Sequence, residues 1–122
     1  MGRVLSFSVA GVPPEIMGIG PAYAIPAALK KANLSTDDID IYEINEAFAS
    51  QCLYSAKYLK LDLNKVNPRG GAIALGHPLG ATGARQIKTL FSELERTGKR
   101  LGVVSMCIGT GMGAAAVFER EL

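Results

Sequence analysis

Apolar residues recur along this chain in two spacings, one typical of strands and one typical of helices. Val4 to Val9 mixes apolar residues with two serines, which predicts a half-buried strand. Ile39 to Ile44 predicts a second strand, and Val66 starts a short extended piece. Leu101 to Ile108 and Ala114 to Phe118 predict two more strands, joined by a glycine-containing loop. The pattern therefore predicts about five strands.

In the segments between these strands, the apolar residues recur at the spacing of a helix. Pro21 opens a helix whose regular part we expect Pro26 to confine to the later turns. Asn45 is expected to cap a second helix, and Cys52 lies on the apolar face of that helix. A third helix is predicted by four apolar residues at i, i+3, i+4 and i+7: Ile87, Leu90, Phe91 and Leu94.

The order of these elements predicts the fold class. A chain of 122 residues has the size of one domain, which we expect to span residues 1–122. Strands alternating with helices predict an α/β fold with a mixed, mostly parallel sheet of about five strands and helices on both faces. Ligands of such sheets bind at the carboxyl ends of the strands. Asn45 and Cys107 lie at such ends and His77 precedes the third helix, so we expect the three to converge on one rim.

Composition and charge narrow the classes of function. A formal net charge of +2 gives little support for nucleic-acid binding. No stretch approaches ~18 uninterrupted apolar residues, so we expect no membrane-spanning helix. Two cysteines and one histidine complete neither a disulfide framework nor a standard four-ligand zinc site, so we predict no metal. Free thiols of this kind fit a reducing compartment.

Two glycine-rich stretches carry the groups best suited to chemistry. Gly70 to Arg85 contains the sole histidine, His77, and Cys107 to Gly113 begins with a cysteine at the end of an apolar strand. Imidazole and thiol groups exchange protons near neutrality. Each candidate also has a plain structural interpretation, since a loop histidine can be a bystander, Cys107 a small buried hydrophobe and Asn45 simply a helix cap.

The glycines that follow Cys107 allow three interpretations. Gly109, Gly111 and Gly113 can form a hairpin turn, or their backbone N–H groups can point at a developing oxyanion. They also imitate the start of a dinucleotide-binding fold, but only nine residues follow Gly113. That leaves no room for the second strand and the ribose-binding acid of that fold, so we do not expect it.

Taken together, the motifs resemble those of the thiolase family. Asn45 to Ala49 (NEAFA), Gly70 to Gly83 and Cys107 to Gly113 are similar, in order, to the motifs of the C-terminal half of thiolases. The resemblance covers essentially the entire chain. Gly11 to Gly18 and Val103 to Gly111 look most like the peroxisomal 3-ketoacyl-CoA branch of the family.

The resemblance implies an activity and a role for each candidate residue. Thiolases cleave a 3-ketoacyl-CoA with free CoA, giving acetyl-CoA and a shortened acyl-CoA, or run the condensation in reverse. Cys107 would be the acid/base thiol, and Asn45 would hold a water. That water and His77 Nε2 would donate to the thioester oxygen, and the Gly109 N–H would serve a second oxyanion hole. CoA is then a substrate, and no resident cofactor is implied.

The resemblance also implies what this chain lacks. The acylated cysteine of the family lies in the N-terminal half, in a Cys-Ser/Ala-Ser-Gly-like sequence that this chain does not contain, and Cys52 lies on a helix instead. We therefore expect no turnover by this polypeptide alone, a thiolase N-terminal half as partner, a homodimer and a peroxisomal location. The alternative is a non-catalytic interaction or oligomerisation module derived from a thiolase half. A β-ketoacyl synthase is disfavoured, because those relatives commonly need a second catalytic histidine.

Overall fold

The computed structural model describes residues 2–121 and places one sheet between helices. Its strands are β1 (Gly2–Gly11), β2 (Ile41–Ile44), β3 (Leu101–Ile108) and β4 (Met112–Arg120). Its α-helices are α1 (Gly20–Ala32), α2 (Ala49–Tyr58), α3 (Gly71–Leu75) and α4 (Thr82–Thr97), with 3₁₀ helices at Pro14–Ile19 and Leu63–Lys65. None of the helices in this described part is long and apolar enough to cross a membrane.

The strands lie in the order β1-β4-β3-β2, which confirms the α/β class and the mixed sheet. Two expectations need correction. Residues 2–121 form four strands rather than five, because Val66 makes only an isolated bridge to Tyr42 before the chain turns at Asn67, whose φ is +48°. The pairings are not mostly parallel: β4 lies between β1 and β3 and runs opposite to both, so only β2 and β3 pair in parallel.

Helices cover both faces of the sheet, as expected. On one face, α1 contributes Ile25 and Leu29 to a core cluster that includes Val103 and Val117 from the sheet. On the other face, α4 packs its apolar stripe against the sheet in a smaller cluster. That cluster consists of the buried residues Ile41, Leu90, Leu94, Val104 and Phe118.

Strand β1 turns most of its larger apolar side chains away from the core, and Leu5 is the exception that packs against it. Ser8 is buried and the Ser6 hydroxyl donates to the Ala28 carbonyl oxygen of α1 at 2.8 Å, whereas the side chains of Val4, Phe7 and Val9 are exposed. A register shift between Val4 and Ser6 brings Val4 and Phe7 to the same face. The strand is therefore half-buried as predicted, but mainly through its serine side.

Two predictions about helix starts are wrong. Helix α1 continues through Pro26, because this residue removes a single N–H from a helix whose other face is held by the core. Asn45 does not cap a helix: α2 begins at Ala49, and Phe48 is its N-cap residue. The Phe48 N–H donates instead to the Gln51 side-chain oxygen at 3.4 Å. The residues between Asn45 and Phe48 therefore precede the helix and are not part of it.

Candidate active site

The carboxyl ends of β2 and β3 form one edge of the site. The Asn45 N–H donates to the Ser105 carbonyl oxygen at 2.9 Å, which continues the parallel pairing of Ile44 with Ser105. Cys107 lies two residues further along β3, opposite Gly113 of β4. Asn45 and Cys107 are therefore brought to the same edge of the sheet by the pairing of their strands.

His77 lies in the exposed loop between α3 and α4. Its Nδ1 atom is 2.7 Å from Thr82 Oγ1, and the Thr82 hydroxyl donates to the Pro78 carbonyl oxygen at 2.8 Å. Gly76 and Gly80 have φ values of +102° and +74°, which only glycine adopts without strain. The loop thus reverses direction on both sides of the histidine while one ring nitrogen is held by the first residue of α4.

A carboxylate links the Asn45 segment to the His77 loop. Glu46 Oε2 accepts a hydrogen bond from the Ile73 N–H in the first turn of α3 at 3.1 Å. Gly71 lies against the same carboxylate, and a Cβ atom at this position would be 2.5 Å from Glu46 Oε2. Glu46 therefore fixes the start of the short helix that ends just before His77.

The start of α4 lies close to the C-terminal end of β3. A Cβ atom on Gly83 would be 3.7 Å from Met106 Cε, so the residue after Thr82 contacts the residue before Cys107. The Glu46 bond links the segment of Asn45 to that of His77, and this contact links the start of α4 to the end of β3, which carries Cys107. No side-chain hydrogen bond joins the three residues to one another within the described chain.

The Cys107 thiol is half-buried at the end of β3. Alternation along the strand places it on the same face as Val103, which packs towards α1, whereas Val104 packs towards α4. Burial raises the pKa of the Cys107 thiol above its ordinary value. The group is therefore a protonated thiol near neutral pH and can act as a proton donor.

Asn45 is fully buried, yet neither its amide nitrogen nor its amide oxygen has a hydrogen-bond partner within residues 2–121. Buried amides are nearly always hydrogen-bonded, because leaving one unpaired costs about 1–3 kcal/mol. The Asn45 amide therefore keeps a donor group and an acceptor atom that no residue in the described part of the chain satisfies.

An acidic and a basic side chain lie close together two residues before Asn45, where Glu43 of β2 approaches Arg85 of α4. Glu43 is fully buried, and its Oε2 is 3.5 Å from Arg85 Nη1. Burial raises the pKa of Glu43 to about 7, although the neighbouring Arg85 acts in the opposite direction. Gln86 donates to the carbonyl oxygens of Glu43 and Ser105 at 3.0 and 3.2 Å, so it holds the ends of β2 and β3 together.

The β3–β4 turn forms the hairpin allowed by the sequence. Gly109 is exposed, and a Cβ atom there would meet nothing within 4 Å. Gly111 and Gly113 are both required by the fold. Gly111 has a φ of +102° and a Cβ atom there would be 2.5 Å from the Val12 carbonyl oxygen, while a Cβ atom at Gly113 would clash with the Gly20 carbonyl oxygen. The dinucleotide-binding alternative is wrong, because Gly113 leads into β4 and not into a helix.

Cys52 belongs to the core, as its helical spacing predicted. Its side chain is buried in the cluster under α1, and burial raises its pKa to about 11. A thiol in this state is a poor nucleophile. Among residues 2–121, no group of three or more His, Cys, Asp and Glu side chains is arranged to hold a metal ion.

Several residues of the site were not singled out from the sequence: Glu43, Glu46, Thr82, Arg85 and Gln86. One signal was available, since a carboxylate within the apolar run Ile41 to Ile44 is unusual in a buried strand. The partners of the other four residues are distant in sequence or depend on a loop, and spacing alone does not reveal them.

Known proteins are similar to this chain in sequence and in fold. A family model described as thiolase, C-terminal domain, matches residues 1–120. The chain is 71% identical to rat peroxisomal 3-ketoacyl-CoA thiolase B over 120 residues, which cover 98% of the chain and 28% of the rat protein. It is 69% identical to the human peroxisomal 3-ketoacyl-CoA thiolase over the same number of residues.

Solved structures agree with these matches. Yeast peroxisomal 3-ketoacyl-CoA thiolase superimposes with a TM-score of 0.93 at 65% identity, over 99% of this chain and 35% of that one. That enzyme is described as five layers built from two core domains of identical topology. Human mitochondrial 3-ketoacyl-CoA thiolase superimposes with a TM-score of 0.96 at 50% identity. This chain, which spans about a third of these relatives, therefore belongs to the thiolase family and corresponds to its C-terminal domain.

Proposed function

We propose that this chain is the acid/base half of a 3-ketoacyl-CoA thiolase, an acyltransferase that moves an acyl group from a 3-ketoacyl-CoA to CoA in fatty-acid β-oxidation. The observation that carries the proposal is 65–71% identity to peroxisomal 3-ketoacyl-CoA thiolases over 98–99% of the chain. CoA and the 3-ketoacyl-CoA are substrates, and the reaction needs no resident cofactor. A solved human mitochondrial thiolase holds CoA, which supports this substrate class.

Cys107 is the acid/base thiol in this proposal. In cleavage, its proton moves to the α-carbon of the acetyl-CoA enolate, which leaves a Cys107 thiolate and neutral acetyl-CoA. In condensation, the thiolate takes a proton from the α-carbon of acetyl-CoA, and the enolate forms. The raised pKa of Cys107 supports the donor role, because the thiol keeps its proton near neutral pH.

Asn45, His77 and Gly109 stabilise the negative charge that the reaction develops. Asn45 holds a water, and its unpartnered amide supports this role. That water and the Nε2 atom of His77 donate to the enolate oxygen, while the Gly109 N–H donates to the second oxyanion. Removal of one such donor typically costs ~10²-fold or more in rate.

The acylated nucleophile comes from a thiolase N-terminal half. Cys52 is buried with a pKa of about 11, so it does not supply that nucleophile. Acid/base groups without an acyl acceptor do not complete acyl transfer through a covalent intermediate. The isolated chain is therefore inactive, and activity requires the companion half.

An open apolar face supports the presence of that companion. A groove of about 300 Å³ lies between α4 and β1 on the face of the sheet that α4 only partly covers. Its lining includes Val4, Phe7, Ile87, Met106, Ala116 and Phe118. Exposed apolar surface of this kind marks an interaction site. The layered yeast enzyme, with its two core domains, supports an N-terminal half as the occupant.

Relatives also support a location and an assembly state. The rat, human and yeast relatives are named peroxisomal, and a solved yeast thiolase is described as dimeric. We infer a peroxisomal homodimer for the complete enzyme.

The test is complementation with a separately prepared N-terminal half of yeast peroxisomal thiolase. We expect cleavage of a 3-ketoacyl-CoA by CoA only in the mixture, with neither half active alone. In the mixture, Cys107→Ser and His77→Ala should each lower kcat by ~10²-fold or more. A complex confirmed by size-exclusion chromatography that has no activity would contradict the proposal, as would cleavage by this chain alone.

The groove is tested through Phe7. Phe7→Thr should weaken complex formation and leave the melting temperature of the chain nearly unchanged, because the Phe7 side chain is 57% exposed. Tyr54→Gln is a matched control, because Tyr54 is an exposed aromatic residue on α2, outside the groove. Equal affinity of the two variants for the N-terminal half would exclude the groove as the docking surface.

A second candidate function is favoured by the same groove. The chain could be a non-catalytic module that self-associates through its apolar face. Sedimentation of the isolated chain over a range of concentrations distinguishes the two. Stable self-association together with a failure to bind the N-terminal half supports the module.

A further inference from the structure

The hydrogen bonds around Thr82 determine which nitrogen of the His77 ring carries the proton. Thr82 is 5% exposed, and its Oγ1 atom contacts two groups, the Pro78 carbonyl oxygen at 2.8 Å and His77 Nδ1 at 2.7 Å. A carbonyl oxygen only accepts, so the single hydroxyl proton of Thr82 lies towards Pro78. The hydroxyl oxygen is then an acceptor towards His77, and Nδ1 is the donor.

We propose that Thr82 is a positioning residue that holds neutral His77 as the Nδ1–H tautomer. The lone pair of Nε2 is then free, and this nitrogen accepts a proton before it donates one. The two ring nitrogens thereby have different tasks, since Nδ1 anchors the ring to α4 and Nε2 serves the site.

The consequence for catalysis rests on the proposed thiolase function. His77 Nε2 donates to an enolate oxygen only after the ring has become an imidazolium. The proton can come from a reacting thiol: its S–H bond breaks, an Nε2–H bond forms, and the thiolate keeps the electron pair. Thr82 therefore makes His77 first a base and then a donor, and the ring does not need to rotate between the two steps.

The sole histidine of the sequence makes a direct spectroscopic test possible. With ¹⁵N-labelled histidine, this chain should give one pair of imidazole nitrogen signals, and the tautomer is read from the signals of the neutral ring. Protonated and unprotonated ring nitrogens differ widely in ¹⁵N shift and in their couplings to ring protons. We expect Nδ1 to be the protonated nitrogen, and a wild-type chain with Nε2–H instead would overturn the proposal whatever the variants do.

Variants separate the tautomer from general effects on the fold. Thr82→Val should shift the ring towards the Nε2–H form, and Thr82→Ser should restore the wild-type signals. Thr97→Val is the control, because the Thr97 hydroxyl makes the same kind of bond, to the Glu93 carbonyl oxygen at 2.7 Å, without a histidine nearby. Wild-type ¹⁵N shifts in Thr82→Val would also overturn the proposal.

Activity gives a separate readout in the mixture with the N-terminal half. Thr82→Val should lower kcat by ~10-fold or more with a smaller change in KM, because part of the ~10²–10⁴-fold effect of general acid–base catalysis is lost. Thr82→Ser should recover most of it. An inactive wild-type mixture would contradict the thiolase function. The proposal about the His77 tautomer would then be decided by the ¹⁵N spectra alone. An active mixture whose kcat does not respond to Thr82→Val would contradict the role of Thr82 alone.

Discussion

Glu43 shows how one buried carboxyl group affects the stability of this domain. The carboxylate is fully buried in β2, and one of its oxygens has no partner within residues 2–121. Burial outweighs the attraction of Arg85, so the pKa of Glu43 is raised from 4.5 to about 7. The folded chain therefore binds a proton at Glu43 more tightly than the unfolded chain does.

The Glu43→Gln variant should differ from wild type in its dependence on pH. A raised pKa stabilises the folded state below about pH 4.5, and this contribution is lost as the pH rises through about 7. A neutral glutamine has no such loss. Relative to wild type, the free energy of unfolding of Glu43→Gln should therefore rise between about pH 4.5 and about pH 7, by up to ~3 kcal/mol. Urea titrations across the window measure the gain, and parallel curves would contradict the shift.

At the scale of elements, the short helix α3 depends on a contact outside itself. It has five residues, too few to be stable alone, and its first turn is held by Glu46. Gly71 has a φ of +64° and no room for a Cβ atom beside that carboxylate. The position of the His77 loop thus depends on a glycine and a carboxylate that lie 25 residues apart.

Gly71→Ala should destabilise the chain more than Gly80→Ala. Both glycines have positive φ, so both substitutions carry a similar backbone cost of about 1–2 kcal/mol. Only Gly71 adds a clash, since a Cβ atom at Gly80 meets nothing within 4 Å. Thermal unfolding should show a difference of about 1 kcal/mol or more between the two variants. Equal losses would mean that Glu46 moves aside freely.

The elements that sequence reasoning predicted are those with a strong pattern of their own. The spacing of Leu90 and Leu94 gave α4, and the apolar run from Leu101 gave β3. The errors came from contacts distant in sequence. The order of β4 between β1 and β3 depends on which strand reaches which edge. The Asn45 N–H pairs with the Ser105 carbonyl oxygen of β3, and the helix begins only four residues later.

The residues of the candidate site also divide into those with a signal in the sequence and those whose role depends on distant contacts. His77 and Cys107 stood out because imidazole and thiol groups are rare in this chain, and strand order brought Asn45 to the same edge. Thr82 and Glu46 did not stand out, because threonine and glutamate are common surface residues. Their significance comes only from the atoms that they contact.

At the scale of the molecule, the two cysteines occupy different environments. Cys107 is half-buried at the rim, whereas Cys52 is 6% exposed in the main core. Burial raises the pKa of both thiols, that of Cys52 to about 11. The thiolate is the form that attacks a thiol reagent, and the reagent must reach it, so burial in the core makes Cys52 the slower group.

Labelling with a thiol reagent should therefore proceed in two phases. The fast phase belongs to Cys107 and should accelerate with pH, because the thiolate fraction rises. The slow phase belongs to Cys52 and should follow the rate at which the core opens. Cys107→Ser should abolish the fast phase, and Cys52→Ala should abolish the slow phase. Mass spectrometry can follow the labelling of each variant. A single phase in the wild-type chain would contradict the assigned environments.

The position of β1 has a consequence for the handling of this chain. It is an edge strand of ten residues, and within the described chain only β4 pairs with it. Its exposed valine and phenylalanine side chains lie beside a row of open backbone groups, the combination that promotes aggregation. Arg3 is the one charge along the strand that opposes such contacts. Copies of this polypeptide are therefore expected to associate along that border wherever nothing covers it.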